Sequence, residues 1–228
     1  MPKRILEGGT DVAEMLLFSV DDLPSGGIDD GLLEDLARKN LAIRMPTGAD
    51  GGYLLHLFVD VEVPDMIERY SDTADVLRST FVAKSGRIAF GGAESAFQEF
   101  EPNRHIRADT TIPPGRYDAT AYHTDYPDEL IEEAVVAVIG RDGMRAIEFP
   151  AWIIGPTAIL TIVFTVLGLN TNGLFLAAAA ATVLGGYVWL KTFTGSRRYK
   201  ELNANKLDVE RRYPSIVIRL INATGAKT

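Results

Sequence analysis

The chain has 228 residues, 46% hydrophobic and 24% charged, with no cysteine and a formal net charge of −8. That length holds one domain or two small ones, and the lack of cysteine excludes disulfides, thiolate metal sites and cysteine nucleophiles. Residues 1–148 carry 14 Lys/Arg against 28 Asp/Glu and residues 191–228 carry 9 against 3, so an acidic front at −14 is joined to a basic tail at +6, and the net charge of the front opposes nucleic-acid binding, since phosphate contacts need cations.

In chain order, the early apolar patch MLLFSV sits between Glu14 and Asp21 and is too short for a signal peptide. Asp29 or Asp30 is suited to cap a helix that uses Leu32, Leu33 and Leu36 and ends near Asn40. Leu41 to Met45 predicts a strand, and the glycine-rich PTGADGG is suited to close a hairpin with the next one. Tyr53 to Val63 alternates, with Tyr53, Leu55, Leu57, Val59, Val61 and Val63 on one face and His56, Asp60 and Glu62 on the other, the pattern of a half-buried strand. Ser79–Lys84 and Arg87–Phe90 flank Ser85-Gly86, a dipeptide suited to a β-hairpin turn. Ile106 to Ile112 leads into Pro113-Pro114-Gly115, which reads as a type II turn with Gly115 at positive φ, and Arg116 to Thr124 returns as a strand. Pro127, Asp128 and Glu129 open a helix to about Ile139; its Val135, Val136, Val138 and Ile139 equally suit a hairpin around Arg141-Asp142-Gly143.

Ala151 to Leu190 contains no charged side chain. Ala151–Leu169 and Leu174–Leu190 approach the roughly 20 apolar residues that cross a bilayer, and the turn formers Asn170, Thr171, Asn172 and Gly173 between them predict an antiparallel helical hairpin. Phe149 and Trp152 at one end, with Tyr187, Trp189 and Phe193 at the other, are the rings expected at one headgroup layer. A pair of buried core helices in a soluble protein is the alternative. Pro156 is placed in the first turn or two. Lys/Arg-free in its turn but flanked by Arg141, Arg145, Lys191, Arg197, Arg198, Lys200 and Lys206, the hairpin has the charge bias that puts both termini in the cytoplasm, here beneath a bacterial inner membrane. Thr157, Thr161 and Thr165 form one stripe of the first helix; Ala177, Ala181 and Gly185, and likewise Ala178, Thr182 and Gly186, form small-residue stripes on the second that predict close helix packing. No ionisable group lies between Ala151 and Leu190, which argues against a transporter. Ser196 to Arg212 is suited to extend the second helix, and Ser215 to Ile221 to add a strand.

These elements predict an α+β chain in three parts: an acidic, mainly β cytoplasmic domain over 1–148, a sandwich or small barrel with about two helices; a transmembrane hairpin over 149–194; and a basic cytoplasmic tail over 195–228. His56, His105 and His123, near Asp60 and Asp125 in sequence, lack metal-ligand spacing and read as strand-face or surface residues. Asp125, Asp128, Glu129, Glu132 and Glu133 coincide with a helix start and read as a solvated acidic face, the candidate surface for a basic partner. Gly26-Gly27, Gly51-Gly52 and Gly91-Gly92 belong to no phosphate-binding motif and read as turns; no GxSxG elbow surrounds a serine, and no cofactor signature is present.

The order FVAKSGRIAFGGAES, then IPPGRYDATAYHTDYPDEL, over residues 79–133, resembles small bacterial β-rich domains of inhibitor or immunity type, in which a G-R-I-x-x-G-G hairpin precedes a P-P-G-x-Y strand and an acidic helix. With a two-helix hairpin beside it, the chain is similar to membrane-anchored immunity proteins, and the resemblance implies neutralisation of a toxin by binding. The expectation is therefore a non-enzymatic membrane protein whose acidic domain binds a protein partner, a basic toxin or a regulated subunit. The alternatives are a homo-oligomeric membrane scaffold joined through the small-residue stripes, and a membrane-tethered hydrolase using the three histidines.

Overall fold

The computed structural model describes residues 3–21, 23–27, 29–101, 103, 105–170 and 173–223. In chain order the elements are β1 (Lys3–Thr10), β2 (Glu14–Ser19), α1 (Asp30–Arg38), β3 (Ala42–Pro46), β4 (Gly51–Val59), α2 (Asp65–Glu68), β5 (Leu77–Ala83), β6 (Arg87–Gly92), β7 (Arg107–Thr111), β8 (Gly115–His123), α3 (Asp128–Asn170), α4 (Gly173–Gly195), α5 (Arg197–Glu210) and β9 (Ile216–Asn222). They divide into two compact units: residues 1–126 with 213–228, and residues 127–212.

The first unit is a β-sandwich. One sheet has the order β1-β4-β9-β8-β5, the other β3-β2-β6-β7, and every pairing is antiparallel except β4 with β9. Leu6, Met15, Leu17, Leu55, Leu57, Phe81, Phe90, Tyr117, Ile216 and Ile218 fill the space between the sheets. Both outer faces are covered as well: Leu16, Phe18 and Ala89 of the smaller sheet pack with Leu33 and Leu36 of α1, and Phe58, Tyr122 and Val217 of the larger sheet pack with Ile67 of α2. Cover on both sides explains why MLLFS reads as an unbroken apolar run. It also corrects the expectation for Tyr53–Val63: β4 is buried on both faces, His56 included, and ends at Val59, where Asp60 takes a positive φ of 54°.

The tight turns are corners between sheets, not hairpins. β3 and β4 belong to different sheets, as do β5 and β6, and β7 and β8. Ser85-Gly86 therefore carries the chain across the sandwich; Gly86 takes φ +82°, and the backbone N–H of Ser85 donates to Asp21 Oδ2 at 3.1 Å. The Ser85 hydroxyl, which donates to the same carboxylate, holds Asp21 below the usual carboxylate range. At Pro113-Pro114 the type II turn does not form: Gly115 begins β8 without positive φ. A turn dipeptide reports a reversal of the chain but not whether the two arms share hydrogen bonds, which depends on the twist and packing of whole sheets.

Helix α1 starts where expected, with Asp29 Oδ1 accepting from the Leu32 N–H at 2.8 Å. The helix predicted from Asp128 is also present, but it belongs to the second unit and runs to Asn170, interrupted only at Gly140 (φ 74°, ψ 162°); the hairpin alternative around Asp142 is not formed. Pro150 and Pro156 thus lie inside α3, not near its start. Helix α5 is separate from α4, capped by Ser196, whose Oγ accepts from the Tyr199 N–H. It packs along α3, with the Cβ position of Gly143 at 3.0 Å from Leu202 Cδ2.

This division differs from the expected one at 148 and 195. The basic tail is shared: α5 belongs with the helices, whereas β9 is an interior strand of the larger sheet, between β4 and β8. The charges regroup with it. The sandwich unit holds 14 Lys/Arg and 22 Asp/Glu, the whole net −8, and the helical unit holds 9 of each.

Candidate functional site

The helical unit is spliced into the sandwich between adjacent strands. β8 and β9 pair up to His123 with Ile216, the Thr124 N–H donates to the Ser215 carbonyl at 3.1 Å, and the Thr124 hydroxyl donates to the Pro214 carbonyl. Ser215 Oγ accepts from the Leu54 N–H at 2.8 Å, which ties the returning chain to β4. Three rings close this root: Tyr126 lies 4.9 Å from Tyr70 and 5.2 Å from Tyr213 between centroids. Burial, with smaller contributions from neighbouring tyrosines, pushes the Tyr126 phenol up to about 12. None of these residues stood out in the sequence; the only available signal was tyrosines flanking both ends of one segment.

The described part of the hairpin exposes its apolar side chains. Trp152 is 76% exposed, Leu169 74% and Leu174 74%, and two helices, Asp128–Leu169 and Leu174–Gly195, are long and apolar enough to cross a membrane. Within their own unit these helices are exposed and not buried as a pair of core helices would be. The helices seal on one face. The Cβ position of Gly186 lies 3.0 Å from Thr157 Cγ2 and that of Gly168 lies 2.7 Å from Leu176 Cγ, so Gly186 faces α3; Ala178 and Thr182 of its stripe are half-buried, and Ala179 beside them is buried. The Ala177/Ala181/Gly185 stripe is exposed, with nothing within 4 Å of the Gly185 Cβ position. The Thr161 and Thr165 hydroxyls donate to the carbonyls of Thr157 and Thr161 at 2.8 Å, and Thr182 donates to Ala178 at 2.9 Å. These hydroxyls satisfy themselves on their own helix and do not bridge the pair. Of the five aromatic residues named above, Phe149 meets Trp189 at 5.7 Å and Phe193 at 5.9 Å, while Trp152 and Tyr187 are exposed.

The three histidines are not brought together. His56 is opposite Val217 and faces outward under α2, whereas His123 is opposite Ile216 and follows the parity of the inner face; His105 is exposed in the β6–β7 connection. Among the described residues, no group of three His, Asp or Glu side chains is placed to hold a metal ion. Asp125, Asp128, Glu129, Glu132 and Glu133 are all exposed; Asp125 belongs to the sandwich unit and the other four to the first turns of α3.

The glycine pairs separate into two kinds. Gly26, Gly27 and Gly51 take positive φ in loops or at a strand start. Gly91 and Gly92 instead lie within β6, where a Cβ on Gly91 would stand 2.7 Å from the Ile106 carbonyl oxygen; Gly9 of β1 is equally crowded, 2.5 Å from that of His105. These glycines let the β6–β7 connection lie against the sheets. Arg107 fastens it. This side chain, 3% exposed, forms a fork to Asp109 at 2.7 and 3.1 Å, donates to the Ser95 carbonyl at 3.1 Å, and sits 5.2 Å over the Phe18 ring. The sequence signal for it is slight: an Arg and an Asp two apart on one strand face.

No family model matches the chain, and no curated protein matches it. Two solved structures are similar. The protein of crocagin biosynthetic gene J is 17% identical with a TM-score of 0.39, over 54% of this chain and 76% of that one. ComJ from Bacillus subtilis, an inhibitor of the DNA-degrading activity of NucA, is 12% identical with a TM-score of 0.35, over 53% of this chain and 81% of that one.

Proposed function

We propose that this is a non-enzymatic integral membrane protein that holds an acidic β-sandwich at the cytoplasmic face of a bacterial inner membrane, where the sandwich binds a basic protein partner. The observation that carries the reading is the splice: two apolar helices with exposed side chains leave and rejoin one sheet between hydrogen-bonded neighbours. If the helices cross a bilayer, strands on either side of them are confined to the same compartment. The Lys/Arg flanks and the cation-free turn favour the cytoplasm. There the sandwich carries all of the net −8 next to anionic lipid, which gives a cationic partner a steered approach. ComJ is named as an inhibitor of a nuclease; neutralisation of a toxin or regulation of a membrane enzyme is the finer form of the proposal.

Two experiments test it. The cysteine-free chain accepts single probes: in intact cells Asn172→Cys should react with an impermeant maleimide and Asp60→Cys should not, and the reverse pattern would invert the topology. Crosslinking in membranes followed by affinity purification should recover a stoichiometric basic protein, less of it as salt rises. Recovery of this chain alone would instead favour a homo-oligomeric scaffold, the second reading, which the exposed Ala177/Ala181/Gly185 stripe supports. In that case Ala181→Leu with Gly185→Leu should reduce the mass in detergent to that of one chain.

A further inference from the structure

One face of the hairpin is not smooth. A groove of about 460 Å³ runs between the helices, lined by Ile153, Ala158 and Ile162 of α3 and by Val183, Gly186 and Tyr187 of α4. The helices meet where the Cβ position of Gly186 lies 3.0 Å from Thr157 Cγ2, and the groove lies beside this contact. From Ile153 to Ile162 the groove spans about 13 Å at about 1.5 Å per helical residue, close to half of the roughly 30 Å hydrocarbon core of a bilayer. One leaflet is therefore matched.

The groove opens at the charged end of the hairpin. Trp189 and Leu190 complete its lining there, Lys191 follows, and the Lys191 Nζ lies 6.0 Å from the centroid of the groove residue Tyr187. Arg198 and Lys200 are exposed in the first turn of α5. Residues 149–196, which include the whole lining of the groove, contain no acid; Glu148, just before them, is exposed.

We infer that this groove binds one anionic phospholipid of the cytoplasmic leaflet, an acyl chain lying along Ala158 and Gly186 and the phosphate resting on Lys191. The apolar channel selects a chain of one leaflet's depth, and the ammonium selects a phosphate whose headgroup carries no balancing cation. The inference rests on the membrane reading above, and its test separates the two. The full chain is reconstituted in vesicles of equal phosphatidylcholine and phosphatidylglycerol, extracted in mild detergent, and its retained lipids are counted by native mass spectrometry. One phosphatidylglycerol per chain should be kept in preference to phosphatidylcholine by about fivefold or more. Lys191→Gln should bring the two lipids to parity, Ala158→Phe should displace both, and Gly185→Leu, outside the groove, should change neither. If the inserted protein keeps both lipids equally, or if Lys191→Gln and Ala158→Phe retain phosphatidylglycerol like the parent, the inference is wrong while the membrane reading stands. Loss of a dimer in Ala158→Phe with unchanged lipid would assign the groove to a second copy. A chain that does not enter vesicles at all would overturn both.

Discussion

The sandwich and the helices spliced into it use similar apolar residues in opposite ways. In the sandwich, Phe81, Phe90, Leu55, Leu57 and Ile218 have no exposure, and the rings and branched side chains of two sheets fill one another's gaps. In the described part of the hairpin, Ile159 and Ile162 are 63% exposed and Leu184 64%, and residues that do pack include the small Gly168, Ala179 and Gly186. Apolar burial drives the first arrangement; in the second, backbones approach closely at small residues and large side chains turn outward. The same apolar inventory is thus buried in one region of the chain and exposed in the other.

Removing one region should leave the other intact, and this is the harshest test of the contrast. Joining Tyr126 to Tyr213 through a short glycine linker, in place of residues 127–212, should yield a folded β protein soluble without detergent, checked by circular dichroism and gel filtration. Aggregation would mean that the sandwich depends on the helices. Within the sandwich, Phe81→Ala should cost about 3–5 kcal/mol in urea unfolding. Leu160→Ala in the hairpin should leave that transition unmoved. Arg107→Met should cost about 1.5–3 kcal/mol, since the fork to Asp109 and the bond to the Ser95 carbonyl are lost together. Its m-value should stay constant if only the β6–β7 connection loosens. The smallest effect concerns pH. Tyr126 is held at about 12 against an ordinary value near 10, so its unfolded form loses the proton first. Stability is then full below pH 10 and is lost as pH rises toward 12, and ultraviolet titration should show a late-ionising tyrosine that is absent in Tyr126→Phe. Tyr117 and Tyr122, both raised by burial, add to the same loss.

Elements governed by their own residues were legible in the sequence. The Asp29 cap is a contact across three residues, and the uncharged run from Ala151 needs no partner to be recognised. Pairing was not legible. Ser85-Gly86 and Pro113-Pro114 look like hairpin turns, yet each sends the chain to the opposite sheet, and Gly91-Gly92 looks like a turn although it is a strand segment lying beneath Ile106. At the candidate sites the same limit applies: the exposed acids of α3 and the helix stripes could be placed by periodicity, whereas the Tyr70–Tyr126–Tyr213 root and the Arg107 clasp join residues far apart in the chain.

By itself the sequence determined that this chain has an acidic, strand-rich part and two adjoining apolar helices, because composition and short-range periodicity state what each segment can bury. Only the tertiary structure decided that β9, written after the helices, lies between β4 and β8, written before them. That strand pairs through backbone groups, which every residue carries alike, so its partners were set by the packing of Ile216, Ile218 and Leu220 into a core assembled from both sides of the insertion.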